Sequence, residues 1–151
     1  LPNDVPEVLE REIALEVLEP TKIYVKSLLK LAREVKVKAA VHITGDAYLK
    51  FNNLANYSPG IGFQFSNFKP QPIFGLIQRT AGELGYTISD EEMFKTFNMG
   101  WGFGIIVDKV DVDKAMNALE QGSAKPEEIG KVTDKQKVVE IEYKNRRMVF
   151  T

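Results

Sequence analysis

Apolar residues recur at Val25, Leu28, Leu29, Ala32 and Val35, the three-and-four spacing of an amphipathic helix, with Lys26, Lys30 and Arg33 on its other faces. Directly after it the period changes to two. Val37, Ala39, Val41 and Ile43 alternate with Lys38, Ala40 and His42, which predicts a strand with His42 on the face opposite Val41 and Ile43. Thr44, Gly45 and Asp46 end that strand and offer an N-terminus to a short helix containing Tyr48, Leu49 and Leu54. A second strand carries Ile61, Phe63 and Phe65 on one face and Gly62, Gln64 and Ser66 on the other.

Past a Pro-containing connection from Phe68 to Pro72, the residues Ile73, Leu76, Ile77, Ala81 and Leu84 predict a helix ended by Gly85. Ser89 and Glu92 have the spacing of a capping box and open a short helix through Met93 and Phe94. Phe103, Ile105, Ile106 and Val107 form the nearly continuous apolar run of a strand covered on both faces. Val112, Ala115, Met116 and Leu119 predict another helix, stopped by Gly122. Strands are expected over 129–132, 138–143 and 147–150, the last two joined by a tight turn at Lys144 and Asn145. Strands and helices interleave, so the expected class is α+β or three-layer α/β with a mixed sheet.

Residues 1–20 differ from the rest. They are acidic, with Glu7, Glu10, Glu12, Glu16 and Glu19, and are punctuated by Pro2, Pro6 and Pro20. Val8, Ile13, Leu15, Val17 and Leu18 line part of a helix that must stop before Pro20. The expected organisation is a leading acidic segment or inter-domain tether over 1–20, then one domain over 21–151. The chain begins at Leu1, which suggests a fragment or a processed product.

Composition narrows the chemistry. The chain has 151 residues, 44% of them apolar and 27% charged, as in a globular domain rather than a disordered chain. Twenty Lys plus Arg against 21 Asp plus Glu leave a net charge of −1, so nothing points to nucleic acid. No apolar run is long enough to span a membrane. There is no cysteine and only one histidine, so thiol chemistry and Cys/His zinc sites are excluded, and no metal site is expected. No signal-peptide pattern opens the chain, and the expected location is the cytoplasm.

Three segments carry candidate chemistry. In His42-Ile43-Thr44-Gly45-Asp46-Ala47 a strand runs into a glycine turn and a helix start, where free N–H groups can hold a phosphate. Asp46 opposes that reading, because its carboxylate would repel an anion and can cap the helix itself. His42 is either a structural group or an acid–base catalyst, since histidine titrates near neutrality. In Thr96-Phe97-Asn98-Met99-Gly100-Trp101-Gly102 two glycines flank an indole: either they admit a ligand or they make room for Trp101 in the core. In Pro20-Thr21-Lys22-Ile23-Tyr24-Val25-Lys26 two lysines four apart either meet an anion or are solvated charge.

These segments, in this order, resemble the C-terminal domain of the aminoimidazole ribonucleotide synthetase family, also called phosphoribosylformylglycinamidine cyclo-ligase. The matching stretches are Leu18 to Lys26, His42 to Gly45 and Glu92 to Gly100, continued by Asp113-Lys114-Ala115 and Ile129 to Val132. The resemblance implies a partly ferredoxin-like α+β fold and a place in purine biosynthesis. The family uses ATP and magnesium to activate the formyl amide oxygen of formylglycinamidine ribonucleotide, and ring closure then yields aminoimidazole ribonucleotide.

Carried onto this chain, the resemblance makes Lys26, Thr44, Gly45, Asp46, Lys50, Thr96, Asn98 and Gly100 the substrate-binding residues and His42 the acid–base candidate. Thr21 and Lys22 match the motif beside them. The familiar bacterial form continues its turn with two more glycines and a later arginine; here Asp46 and Ala47 follow, Lys50 stands in for the arginine, and the pattern leans toward an archaeal branch. The implied partners are a phosphorylated ribonucleotide, an N-terminal domain in the same or a separate chain that carries the ATP and magnesium contacts, and a second copy in a homodimer. The alternatives are a formylglycinamidine synthetase fragment, against which the Thr96–Gly100 run weighs, and a stand-alone binding or assembly domain without chemistry.

Overall fold

A computed structural model describes residues 3–151. Helix α1 spans Ile13–Val17 and α2 Val25–Glu34; strand β1 is Ala39–His42 and is followed by a 3-10 helix over Ala47–Asn56. Strand β2 (Gly62–Phe65), α3 (Pro72–Glu83), α4 (Asp90–Thr96) and β3 (Phe103–Ile106) follow. A short 3-10 turn at Lys109–Asp111 leads into α5 (Val112–Gln121), and β4 (Gly130–Thr133), β5 (Val139–Tyr143) and β6 (Arg146–Phe150) close the domain. The class is α+β, as expected.

The strands form two sheets rather than one. β1 and β3 pair antiparallel with His42 opposite Phe103, while the other four run in the order β4-β2-β5-β6 with β2 and β5 parallel. The β3 run is continuously apolar because its alternate residues enter different cores. Ile105 and Val107 meet Leu31 and Val35 of α2 and Ala115 and Ala118 of α5. Ile106 packs on the larger core, built from Tyr48, Phe51, Phe63, Phe65, Phe94, Val139, Ile141 and Phe150. Gly104 lies against Phe51, and a Cβ there would sit 2.4 Å from that ring. The two-stranded sheet therefore separates the α2–α5 layer from the aromatic core.

Local signals account for the boundaries. Ser89 accepts a hydrogen bond from the Glu92 N–H (3.1 Å) and starts α4. Pro72 occupies the first turn of α3, where its missing N–H costs nothing, and Gly85 follows that helix at φ +85. Lys144 and Asn145, at φ 48 and 60, make the double left-handed turn that suits a two-residue hairpin.

Two expectations need correction. Of the α2 row read from spacing, Val35 is buried and Leu28 half-buried, but Val25, Leu29 and Ala32 are exposed, and Ser27 and Leu31 are buried instead. The predicted helix over 8–18 is a single turn and a half at Ile13–Val17 with no buried residue. Arg11 pairs there with Glu16 and Glu19.

Candidate functional site

β1 delivers His42 to the end of the two-stranded sheet, on the side of α2. Its ring stacks on Phe103 (5.7 Å between centroids) and meets the edge of Tyr24, the residue before α2, at 6.0 Å. Tyr24 in turn lies 5.1 Å from Phe103. The imidazole is exposed, and among the described residues it makes no hydrogen bond. Burial pushes the Tyr24 phenol up from its ordinary pKa, so it stays protonated.

The turn after His42 is exposed at Thr44, Gly45 and Asp46. Its left-handed residues are Asp46 (φ 62) and Ala47 (φ 39), not Gly45, where a Cβ would meet nothing within 4 Å. Asp46 makes no side-chain cap, which corrects the capping alternative. The N–H groups of Ala47 and Leu49 already donate to the carbonyls of Thr44 and Asp46, and the helix they begin is of 3-10 type. The turn is therefore a poorer anion cradle than the strand-glycine-helix pattern predicts. Cationic character comes instead from Lys50, whose ammonium donates to the Thr44 hydroxyl.

The second segment is tied to the first by the backbone and by one buried phenol. The Ile43 N–H donates to the Gly102 carbonyl at 2.9 Å, and Tyr48, fully buried, donates its hydroxyl to the Asn98 carbonyl at 2.8 Å. Burial raises the Tyr48 pKa far above its ordinary value, so this donor persists at any physiological pH. Asn98 closes its own turn: its side-chain oxygen accepts from the Gly100 N–H (3.0 Å) and its carbonyl accepts from the Trp101 N–H (3.1 Å).

The two glycines do not make room for Trp101. A Cβ on Gly100 would meet the Gln71 side chain at 3.3 Å, and one on Gly102 would fall 2.0 Å from the Tyr24 hydroxyl. Trp101 itself is half-buried, edge-on to Phe68, with its indole N–H on Glu127 at 2.9 Å.

His42, Thr44, Gly45, Asp46, Lys50, Asn98 and Gly100 are thus parts of one connected region. Thr96 and Lys26 are not linked to it. Thr96, at the end of α4, donates back to Glu92 at 3.3 Å, and Lys26 is exposed on the first turn of α2. Sequence reasoning missed Tyr24 and Phe103, the walls of the imidazole, and Tyr48 as the tie to Asn98. Gly102 was the available signal, since a glycine between two aromatics leaves space for a third ring. Among the described residues no three His, Cys, Asp or Glu side chains gather where they could hold a metal ion. With its N–H groups partly used and Asp46 beside them, the turn does not suit a nucleoside triphosphate either. No helix among the described residues is long and apolar enough to cross a membrane.

Fold and site together define an α+β domain that ends its small sheet in two mutually braced loops, the 44–46 turn exposed and the 97–102 segment largely half-buried. The chain belongs to the family described as AIR synthase related protein, C-terminal domain, whose model matches residues 3–142. It is 38% identical to a phosphoribosylformylglycinamidine cyclo-ligase of Methanococcus maripaludis strain C5, in a match covering 93% of this chain and 40% of that protein. Cyclo-ligases of Methanocaldococcus jannaschii (38% identity, 82% and 34% covered) and Caldicellulosiruptor saccharolyticus (40%, 76% and 33%) are similar to it as well. Archaeal and bacterial relatives match at comparable identity. The chain spans about 40% or less of the length of these curated relatives.

Proposed function

We propose that this chain is the C-terminal, substrate-side half of an ATP-dependent cyclo-ligase that converts formylglycinamidine ribonucleotide into aminoimidazole ribonucleotide in the cytoplasm. The observation that supports it most is that the family match over 3–142 coincides with a single braced region containing His42, the Thr44–Asp46 turn and Asn98. An amide oxygen is a poor leaving group, and ATP, bound by the rest of the enzyme, supplies the phosphoryl group that makes it a good one. This chain's residues hold and orient the ribonucleotide. Lys50 places a positive charge at the turn for the substrate phosphate, Thr44 and Asn98 offer polar contacts, and the exposed imidazole of His42 exchanges a proton during ring closure. The Tyr24–Phe103 pair holds that ring in place.

The test joins this chain to the preceding part of the Methanococcus maripaludis cyclo-ligase and measures ATP-dependent turnover. Turnover is expected, with a drop of roughly a hundredfold in His42→Ala, the usual size of an acid–base contribution. Full activity in both His42→Ala and Asn98→Ala sinks the site assignment. Calorimetric binding of formylglycinamidine ribonucleotide without turnover in any assembly favours the stand-alone binding domain.

A further inference from the structure

Helix α2 carries one broad apolar stripe, and only one side of it is packed. Leu31 and Val35 are buried with Ala115 and Ala118 of α5, and Ser27 bonds the Gly122 carbonyl at 2.7 Å. On the other side Val25 and Leu29, one turn apart, are 58% and 57% exposed, and Ala32 continues the row. Ile23, 86% exposed, and Leu18 extend the apolar surface back along the chain. The apolar stripe of an amphipathic helix is the side its neighbours cover, and α5 covers only part of this one. Interleaved with this row, Lys22, Lys26, Arg33 and Lys36 form no ion pair among the described residues.

We propose that the outer face of α2, with Ile23 and Leu18, is the surface on which the preceding part of a cyclo-ligase docks. The identity of that partner rests on the cyclo-ligase reading. The matched family is a C-terminal domain and the match covers 40% of the Methanococcus maripaludis C5 protein, so most of that relative precedes the matched region. The match to the C-terminal domain begins at residue 3, so the exposed row lies in the opening segment of that domain, where a relative's preceding part leads into it. The free cations ask for an acidic rim on the partner. They also disfavour a second copy as occupant, because a two-fold contact through this face would set the positive patch of Lys22, Lys26, Arg33 and Lys36 against the same patch of the other copy.

The test co-expresses this chain with the preceding part of the Methanococcus maripaludis C5 protein as a separate polypeptide and measures the complex by ultracentrifugation. Ile23→Glu and the double variant Val25→Glu/Leu29→Glu change residues already in water, so circular dichroism should match the parent chain. Each is expected to weaken the complex about tenfold or more, as loss of an apolar anchor does. Val110→Glu, at another exposed valine, is expected to leave it unchanged. A complex indifferent to both row variants, no complex at all, or a homodimer that the row variants dissociate overturns the proposal. Turnover measured on the same samples separates the two readings: a row-dependent complex without turnover keeps the docking surface and sinks the cyclo-ligase function. Turnover with an insensitive complex does the reverse.

Discussion

Tyr48 is the sharpest place to test how the two loops are braced. Its ring is fully buried against Phe65 and Phe68, each 5.2 Å away between centroids, and its hydroxyl donates to the Asn98 carbonyl. In Tyr48→Phe the ring remains and one hydrogen bond is lost. The acceptor is not orphaned, because the Trp101 N–H still donates to it at 3.1 Å. The cost should therefore be that of an ordinary neutral bond, about 1 kcal/mol. Tyr48→Ala also empties the ring's site and should cost about 3–5 kcal/mol. For a chain of this length 1 kcal/mol corresponds to a Tm change of roughly 3 °C, so the two variants should separate clearly by urea denaturation and by calorimetry. In the joined enzyme Tyr48→Phe should raise KM more than it lowers kcat, since the chemistry is untouched and the Asn98 loop is loosened. Equal destabilisation by Phe and Ala would refute this reasoning. So would a Phe variant as stable as the parent with an unchanged KM.

Gly102→Ala should cost about 1–3 kcal/mol by pressing its Cβ on the Tyr24 hydroxyl, and Tyr24→Phe in the same chain should recover most of that, since the next ring atom is 3.1 Å away; chemical denaturation of the four-member cycle checks it. Glu140 is 4% exposed on the outer face of the larger sheet, and bonds from Lys135 and Arg147 hold its carboxyl below the usual range. The unfolded chain then takes up the proton first as pH falls, so the stability this group contributes is complete above about pH 4.3 and is lost below it; urea melts at pH 6 and pH 3.5 should show a smaller acid loss in Glu140→Gln than in the parent. Ser89→Ala removes the cap of α4 and should cost about 1 kcal/mol, measured by thermal unfolding.

Local rules were legible wherever a side chain acts on its own backbone. The Ser89 cap, the Gly85 stop and the Lys144–Asn145 turn follow from residues within four positions of one another. What failed depended on distant partners. The α2 row chosen from spacing was the more apolar one, yet the smaller face with Ser27 and Leu31 is the one that fits α5, where Gly122 approaches Ser27 closely. Gly45 drew attention as the turn glycine, but the left-handed conformation falls on the two residues after it.

For the site, the motif residues were visible, and the reason they belong together was not. His42 on the face opposite Val41 and Ile43 followed from the two-residue period of a strand, which is a property of the backbone alone. The α+β class followed from alternating periods of the same kind. The division into two sheets, the aromatic walls around His42 and the tie from Tyr48 to Asn98 came only from tertiary structure. They join residues 18 to 79 positions apart, and no local pattern encodes which rings or carbonyls will meet across such distances. Packing decides that, because a buried hydroxyl must find an acceptor and a ring can enter only where a glycine leaves it space.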